Sequence, residues 1–193
     1  MPDYTLILAS TSPFRKTLLE RLGVDFRQVA PYCDETPLPD EPAEQLVARL
    51  AIEKARSVYD KLPAEAIVIG SDQVAVLDDN IIGKPHTHDA AVTQLTQLSG
   101  NTVMFHTGLC VMTAARQQQT VVSTEVKFKT LGAAQIERYL NADQPYGCAA
   151  SFKSESMGSA IVDYMRSDDP SALIGLPLIT VGQYLGELGV DVP

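Results

Sequence analysis

Residues 6–15, Leu-Ile-Leu-Ala-Ser-Thr-Ser-Pro-Phe-Arg, constrain the fold of this chain more than any other stretch. Leu6, Ile7 and Leu8 read as a short buried strand. Ser12 followed by Pro13 reads as a helix N-cap with proline at the first helical position. Phe14, Leu18, Leu19 and Leu22 then recur at helical spacing, and Gly23 supplies the stop. A strand feeding a helix presents free backbone N–H groups and the positive end of the helix dipole, which suits an anion. Hydroxyls at Ser10 and Ser12 and the Arg15 guanidinium would complete a phosphate cradle. A well-capped first helix accounts for the same residues, and on these ten alone that plainer reading comes first.

The rest of the chain repeats the alternation. The pattern predicts strand 5–9, helix 13–22, strand 25–30, helix 42–61 and strand 66–71. A hairpin of 74–77 with 81–82 follows around Asp78-Asp79-Asn80. A helix at 87–98 ends at Ser99-Gly100, and two β-rich runs, 102–113 and 120–130, flank the polar Arg116–Gln119. Helix 133–141 and a C-terminal helix near 177–188 complete the series. Such alternation predicts an α/β fold, and the hairpins make the central β-sheet mixed rather than purely parallel. The 193 residues contain no linker or low-complexity segment and can bury one core or two closely joined lobes. Residues 1–193 therefore read as a single domain.

Composition excludes several function classes. A net charge of −9 argues against a nucleic-acid surface, which needs a basic footprint. An anionic substrate would require a few local cations to overcome the repulsive overall field. Cys33, Cys110 and Cys148 are scattered and form no CxxC pair. No signal peptide or 18-residue apolar run is visible, so a reduced, cytoplasmic protein with no membrane association is expected. His86 and His88 match no zinc motif and read as a solvated loop pair.

Five charged residues, at four places in the chain, stand out from their settings. Lys54 falls inside the stripe Val47, Leu50, Ala51, Ala55, Val58 of the second helix, where it either snorkels to the edge or delivers an ammonium to a cleft. Asp72 follows the apolar run Ala66–Gly70, and ligands of α/β sheets gather at the carboxyl ends of strands. Lys84 is fixed between Gly83 and Pro85 directly after another apolar run, and Asp34-Glu35 follows the second strand. A turn aspartate, a surface turn and an acidic loop explain these singly. Read together, Asp34 or Glu35 with Asp72, and Ser10, Arg15, Lys54 and Lys84, form a set suited to phosphoryl chemistry. Carboxylates hold Mg²⁺ through a few contacts and leave the rest to water and phosphates, while cations offset charge on the phosphate oxygens. The competing signatures GxxxxGK[ST] and GxGxxG are missing.

Seven segments in order then resemble one family along nearly the whole chain. They are Leu-Ala-Ser-Thr-Ser-Pro-Phe-Arg (8–15), Asp-Glu-Thr-Pro (34–37), Glu-Lys-Ala (53–55), Gly-Ser-Asp-Gln-Val (70–74), Gly-Lys-Pro (83–85), Ser-Phe-Lys-Ser-Glu (151–155) and Ile-Gly-Leu-Pro (174–177). The chain resembles the Maf family of nucleoside triphosphate pyrophosphatases, and within it the branch associated with 7-methyl-GTP. The resemblance implies a mixed central β-sheet flanked by helices, in two lobes with the active site in the cleft. It also implies Mg²⁺ dependence and a homodimer.

Carried over residue by residue, the resemblance implies that Asp72 is the catalytic proton acceptor and that Glu35 shares the metal with it. It places the phosphate-binding positions on Ser10, Arg15, Lys54 and Lys84, and the base-selecting positions on Phe14, Gln73 and Glu155. The branch that prefers dTTP and UTP carries Arg, Thr and Gln at those last three places. One departure is Ser156-Met157-Gly158, where relatives typically have glycine directly after the acid, which implies a less permissive backbone beside Glu155. The expected reaction is hydrolysis between the α- and β-phosphates of 7-methyl-GTP. The alternatives are the same chemistry on dTTP, UTP or another modified nucleotide, and a nucleotide-sensing role in cell division.

Overall fold

The computed structural model describes residues 4–192. Along the described residues run β1 (Thr5–Ala9), α1 (Pro13–Glu20), β2 (Arg27–Val29), α2 (Ala43–Tyr59), β3 (Ala66–Leu77) and β4 (Asn80–Ile82). Then come α3 (His88–Leu98), β5 (Thr102–Met112), β6 (Gln117–Phe128), α4 (Ala133–Asp143), β7 (Val162–Ser167) and α5 (Leu178–Glu187). Short 3-10 turns occupy Ala149–Ser151, Met157–Ile161 and Pro170–Ile174. The strands hydrogen-bond in the order β2-β1-β3-β5-β6-β7, with β4 on β3. β1 runs parallel to β2 and β3, whereas the β3–β4 and β6–β7 pairs are antiparallel, so the sheet is mixed as expected.

The chain divides into two compact units. The first takes in the described residues up to Asp72, Thr107–Val122 and those from Asp169 onward; the second takes in Gln73–His106 and Ser123–Asp168. In the first unit alternate strand residues serve opposite faces, because successive side chains of a strand point to opposite sides. Leu6, Leu8, Ile67, Ile69, Leu109 and Val111 pack with Leu18 and Leu19 of α1 and with Val181 and Leu185 of α5. Ile7, Ala9, Ala66, Val68, Cys110 and Met112 pack with Ala51, Ala55 and Val58 of α2. Both faces are covered, which is why these strands read as unbroken apolar runs. α2 lies unusually close to the sheet. A Cβ on Gly70 would stand 2.2 Å from the Ala51 carbonyl oxygen, and one on Gly108 would stand 2.1 Å from that of Val47. Only glycine permits that approach, and it is what seats Lys54 of α2 beside β3.

In the second unit Leu95 and Leu98 of α3, Ile136 and Leu140 of α4, and Phe105, Phe128 and Phe152 are buried. The Phe152 ring packs against Phe128 and Phe105, with centroids 5.3 and 5.9 Å apart. The predicted hairpin forms around Asp78 and Asp79, both left-handed at φ 48° and 65°. Aspartate tolerates that region better than most residues, so this acidic pair makes a tight turn.

Several boundaries differ from the sequence reading. The strand expected to end at residue 71 continues to Leu77, so Asp72 sits within β3. β1 stops at Ala9, opposite Gly70, so Asp72 still lies beyond the carboxyl end of the neighbouring parallel strand. Gly70, inside that strand, accommodates α2. Gln117–Gln119 belong to β6 rather than to the loop, which closes through a Thr113 N–H to Arg116 carbonyl bond of 2.8 Å. β7 and the 3-10 turns had no counterpart in the periodicity.

Candidate active site

Lys54 organises the polar residues of the first unit. It is 6 % exposed, so its stem and ammonium both lie inside the unit and do not snorkel to solvent. A buried ammonium requires partners. Its Nζ donates to Asp72 Oδ1 at 2.6 Å and pairs with Glu35 Oε1 at 2.8 Å. Asp72 is 8 % exposed, whereas Glu35 reaches in from an exposed loop.

The loop settles which of the adjacent acids faces Lys54. Asp34 Oδ1 accepts from the Thr36 N–H at 2.9 Å, a local turn that holds the Asp34 carboxyl below its ordinary range. Glu35 is thereby the residue directed to the lysine. Arg49 of α2 straps the same loop. Its Nε and Nη2 donate to the two oxygens of Glu41, both at 2.7 Å, and Nη2 also donates to the Thr36 carbonyl at 3.2 Å. The bidentate guanidinium pulls the Glu41 carboxyl down to about 2.

Arg15 follows the cap of α1. The Ser12 hydroxyl accepts from the Arg15 N–H at 3.3 Å, and buried Ser10 accepts from the Ser12 N–H at 3.1 Å, which leaves the Ser10 hydroxyl proton available to an acceptor. Arg15 Nε donates to the Gly175 carbonyl at 2.8 Å. Burial lowers the pKa of the guanidinium, and the charges of Asp72 and Glu35 act on it in the opposite direction. Ser71 Oγ also bonds the Gly175 carbonyl, at 2.9 Å, and that of Gly108, at 2.8 Å. Gly175 adopts φ 119°, and a Cβ there would press on Arg15 Nε at 3.3 Å. Ser71 and Gly175 are thus supports that the residue-by-residue reading left without a role.

Glu35 and Asp72 are hard oxygen donors sharing one cation, and Mg²⁺ needs only one or two carboxylates when phosphates and water complete its shell. Among the described residues no three His, Cys, Asp or Glu side chains form a protein-only metal cage. The residues present fit a divalent cation that arrives with a polyphosphate.

The second unit holds Gln73, Lys84 and Glu155. Gln73 directly follows Asp72 and is half-buried. Lys84 is exposed on a run anchored where the Gly83 carbonyl accepts from the Ala150 N–H at 3.2 Å and from Gln94 Nε2 at 3.1 Å. Glu155 is exposed on a turn. Lys84 and Glu155 both act on the Cys148 thiol, which burial pushes up to about 11. Ser156 adopts φ −130°, outside the left-handed region that favours glycine. Phe14, on α1 of the first unit, is half-buried and lies outside both hydrophobic clusters of that unit.

The Maf-like protein family model matches residues 5–188. A 7-methyl-GTP pyrophosphatase of Nitrosococcus oceani is 53 % identical over 190 residues, covering 97 % of this chain and 95 % of its own. A protein of the same name from Methylobacillus flagellatus is 51 % identical over 189 residues, covering 97 % and 98 %. One from Vibrio cholerae is 48 % identical over 194 residues and covers both chains fully. The chain belongs to the Maf family. Its three cysteines are free thiols, and among the described residues no helix is long and apolar enough to cross a membrane.

Proposed function

We propose that this protein is a nucleoside triphosphate pyrophosphatase that hydrolyses 7-methyl-GTP to 7-methyl-GMP and pyrophosphate. The observation that carries the reading is the buried ammonium of Lys54 held between Asp72 and Glu35 in a chain of this family. Lys54 engages Asp72 Oδ1, which leaves Oδ2 to take the proton of the attacking water. When bound by Glu35 and Asp72, a divalent cation, here assigned as Mg²⁺, supplies electrophilic stabilisation to the phosphate oxygens. Arg15, Lys54, Lys84 and the Ser10 hydroxyl hold the polyphosphate and offset charge on the departing pyrophosphate.

Methylation at N7 gives guanine a positive charge that no ordinary base carries. Glu155 accepts hydrogen bonds from the N1–H and N2 amino edge, Gln73 reads the carbonyl, and Phe14 offers a ring face to the cationic base. The free thiols suit a reducing compartment, and the proposal places the enzyme in the cytoplasm. The test is pyrophosphate release with Mg²⁺ on 7-methyl-GTP, GTP, dTTP and UTP. Highest kcat/KM on 7-methyl-GTP supports the assignment; a preference for dTTP or UTP overturns the substrate, and no pyrophosphate from any of them overturns the reaction.

A further inference from the structure

Asp143, the last residue of α4, is chemically misplaced for a merely structural acid. A helix C-terminus carries negative partial charge and disfavours a carboxylate, yet the Asp143 side chain is only 6 % exposed. Its donors come from one short segment. Ser156 Oγ donates to Oδ1 at 2.7 Å, and the Met157 N–H donates to Oδ2 at 3.2 Å. Lys153 Nζ donates to the Asp143 carbonyl at 2.5 Å and lies 3.9 Å from Oδ1, so it caps the helix end and offsets the acid together.

The same segment is tied at its other points. The Lys153 N–H donates to the Tyr139 hydroxyl of α4 at 3.1 Å. The Gly158 N–H closes back on the Lys153 carbonyl at 3.0 Å. A Cβ on Gly158 would stand 2.2 Å from that carbonyl oxygen and 2.7 Å from the Phe152 ring, so the turn has no slack on this side. Phe152 in turn is packed on Phe105 and Phe128. Glu155 lies in the middle of this clamped turn and is exposed, as are Ser156 and Met157 beside it. The Ser156 hydroxyl ties the tip of the turn to Asp143.

We propose that Asp143 and Ser156 are positioning residues for base selection: their clasp fixes the turn that presents Glu155, and loosening it relaxes the preference for the methylated guanine without stopping turnover. The inference rests on the reading of Glu155 as the group that meets the base. A rigid carboxylate discriminates between bases because it cannot follow the wrong one, whereas a mobile one adapts to both.

The experiment measures kcat/KM for 7-methyl-GTP and UTP, with kcat and Tm, in Ser156→Ala, Ser156→Thr, Asp143→Asn, the Ser156→Ala/Asp143→Asn pair and Glu155→Gln. Loss of a hydrogen bond to a charged partner at this exposed turn is expected to lower the 7-methyl-GTP to UTP ratio by roughly three- to tenfold in Ser156→Ala. The change appears in KM, with kcat and Tm held, and Ser156→Thr restores it. Asp143→Asn is expected to lower the ratio further, with little added by the second substitution because both act through one clasp. An unchanged ratio in Ser156→Ala and Asp143→Asn overturns the proposal, as does an equal loss on both nucleotides. Should Glu155→Gln alone shift the ratio, only the clasp is refuted; should neither, the Glu155 reading falls with it.

Discussion

Lys54 occupies a position that helical periodicity assigns to the core, and the structure keeps it there by spending two carboxylates on it. Under the proposed mechanism Asp72→Asn is expected to abolish turnover with the fold intact, because a neutral amide still accepts from Lys54 but cannot take the proton of water. Circular dichroism matching wild type beside a loss of at least a hundredfold in kcat would meet that expectation; near wild-type pyrophosphate release would refute it. Lys54→Met should lose activity and also stability, since it strands the buried carboxylate of Asp72. Removing one partner of a buried pair costs about 3–5 kcal/mol, read as a fall in the urea midpoint. At this scale the sequence was legible in part. An ammonium inside an apolar stripe was visible, but nothing in Asp34-Glu35 distinguishes the acid that caps its own turn from the one that turns to Lys54.

The elements around these residues are held by contacts that periodicity does not report. Glu41, bonded to Arg49, titrates near 2, below the ordinary 4.5 for glutamate. A depressed folded pKa means that this contact stabilises fully above about pH 4.5 and is lost as pH falls toward 2. Glu41→Gln should flatten that acid limb, seen as a smaller decline of Tm between pH 5 and 2.5 than in wild type; an identical decline would show that the strap contributes nothing. α5 has a second such support. Its N-cap, Pro177, makes no side-chain bond, and buried Asp169 reaches across instead to the Ile179 N–H at 2.8 Å and, through Oδ1, to the Ser171 hydroxyl at 2.6 Å. Asp169→Ala leaves amides of two elements unmet and should cost about 2–3 kcal/mol of unfolding free energy in urea. A helix near 177–188 was expected from the sequence, but the residue that caps it, Asp169, lies nine positions before Leu178 and leaves no local signature. β7 was invisible for a related reason, since its ladder is set by the distant strand β6. The 3-10 turns close on carbonyls three residues back, in runs too short to show a repeating apolar pattern.

For the molecule as a whole, the apolar runs Leu6–Ala9, Ala66–Ile69 and Leu109–Met112 announced strands buried on both faces, and alternation with helices announced an α/β sheet. What could not be read was the continuity of β3, because Gly70-Ser71-Asp72 resembles a turn until the close approach of α2 to Gly70 explains the glycine. In the proposed function, water attacks the α-phosphate of 7-methyl-GTP, with Asp72 as proton acceptor and pyrophosphate as the leaving group. Turnover in ¹⁸O-labelled water, read by mass spectrometry of both products, tests that claim most directly. The account predicts one labelled oxygen in 7-methyl-GMP and unlabelled pyrophosphate; label in pyrophosphate, or 7-methyl-GDP and phosphate as products, would contradict it.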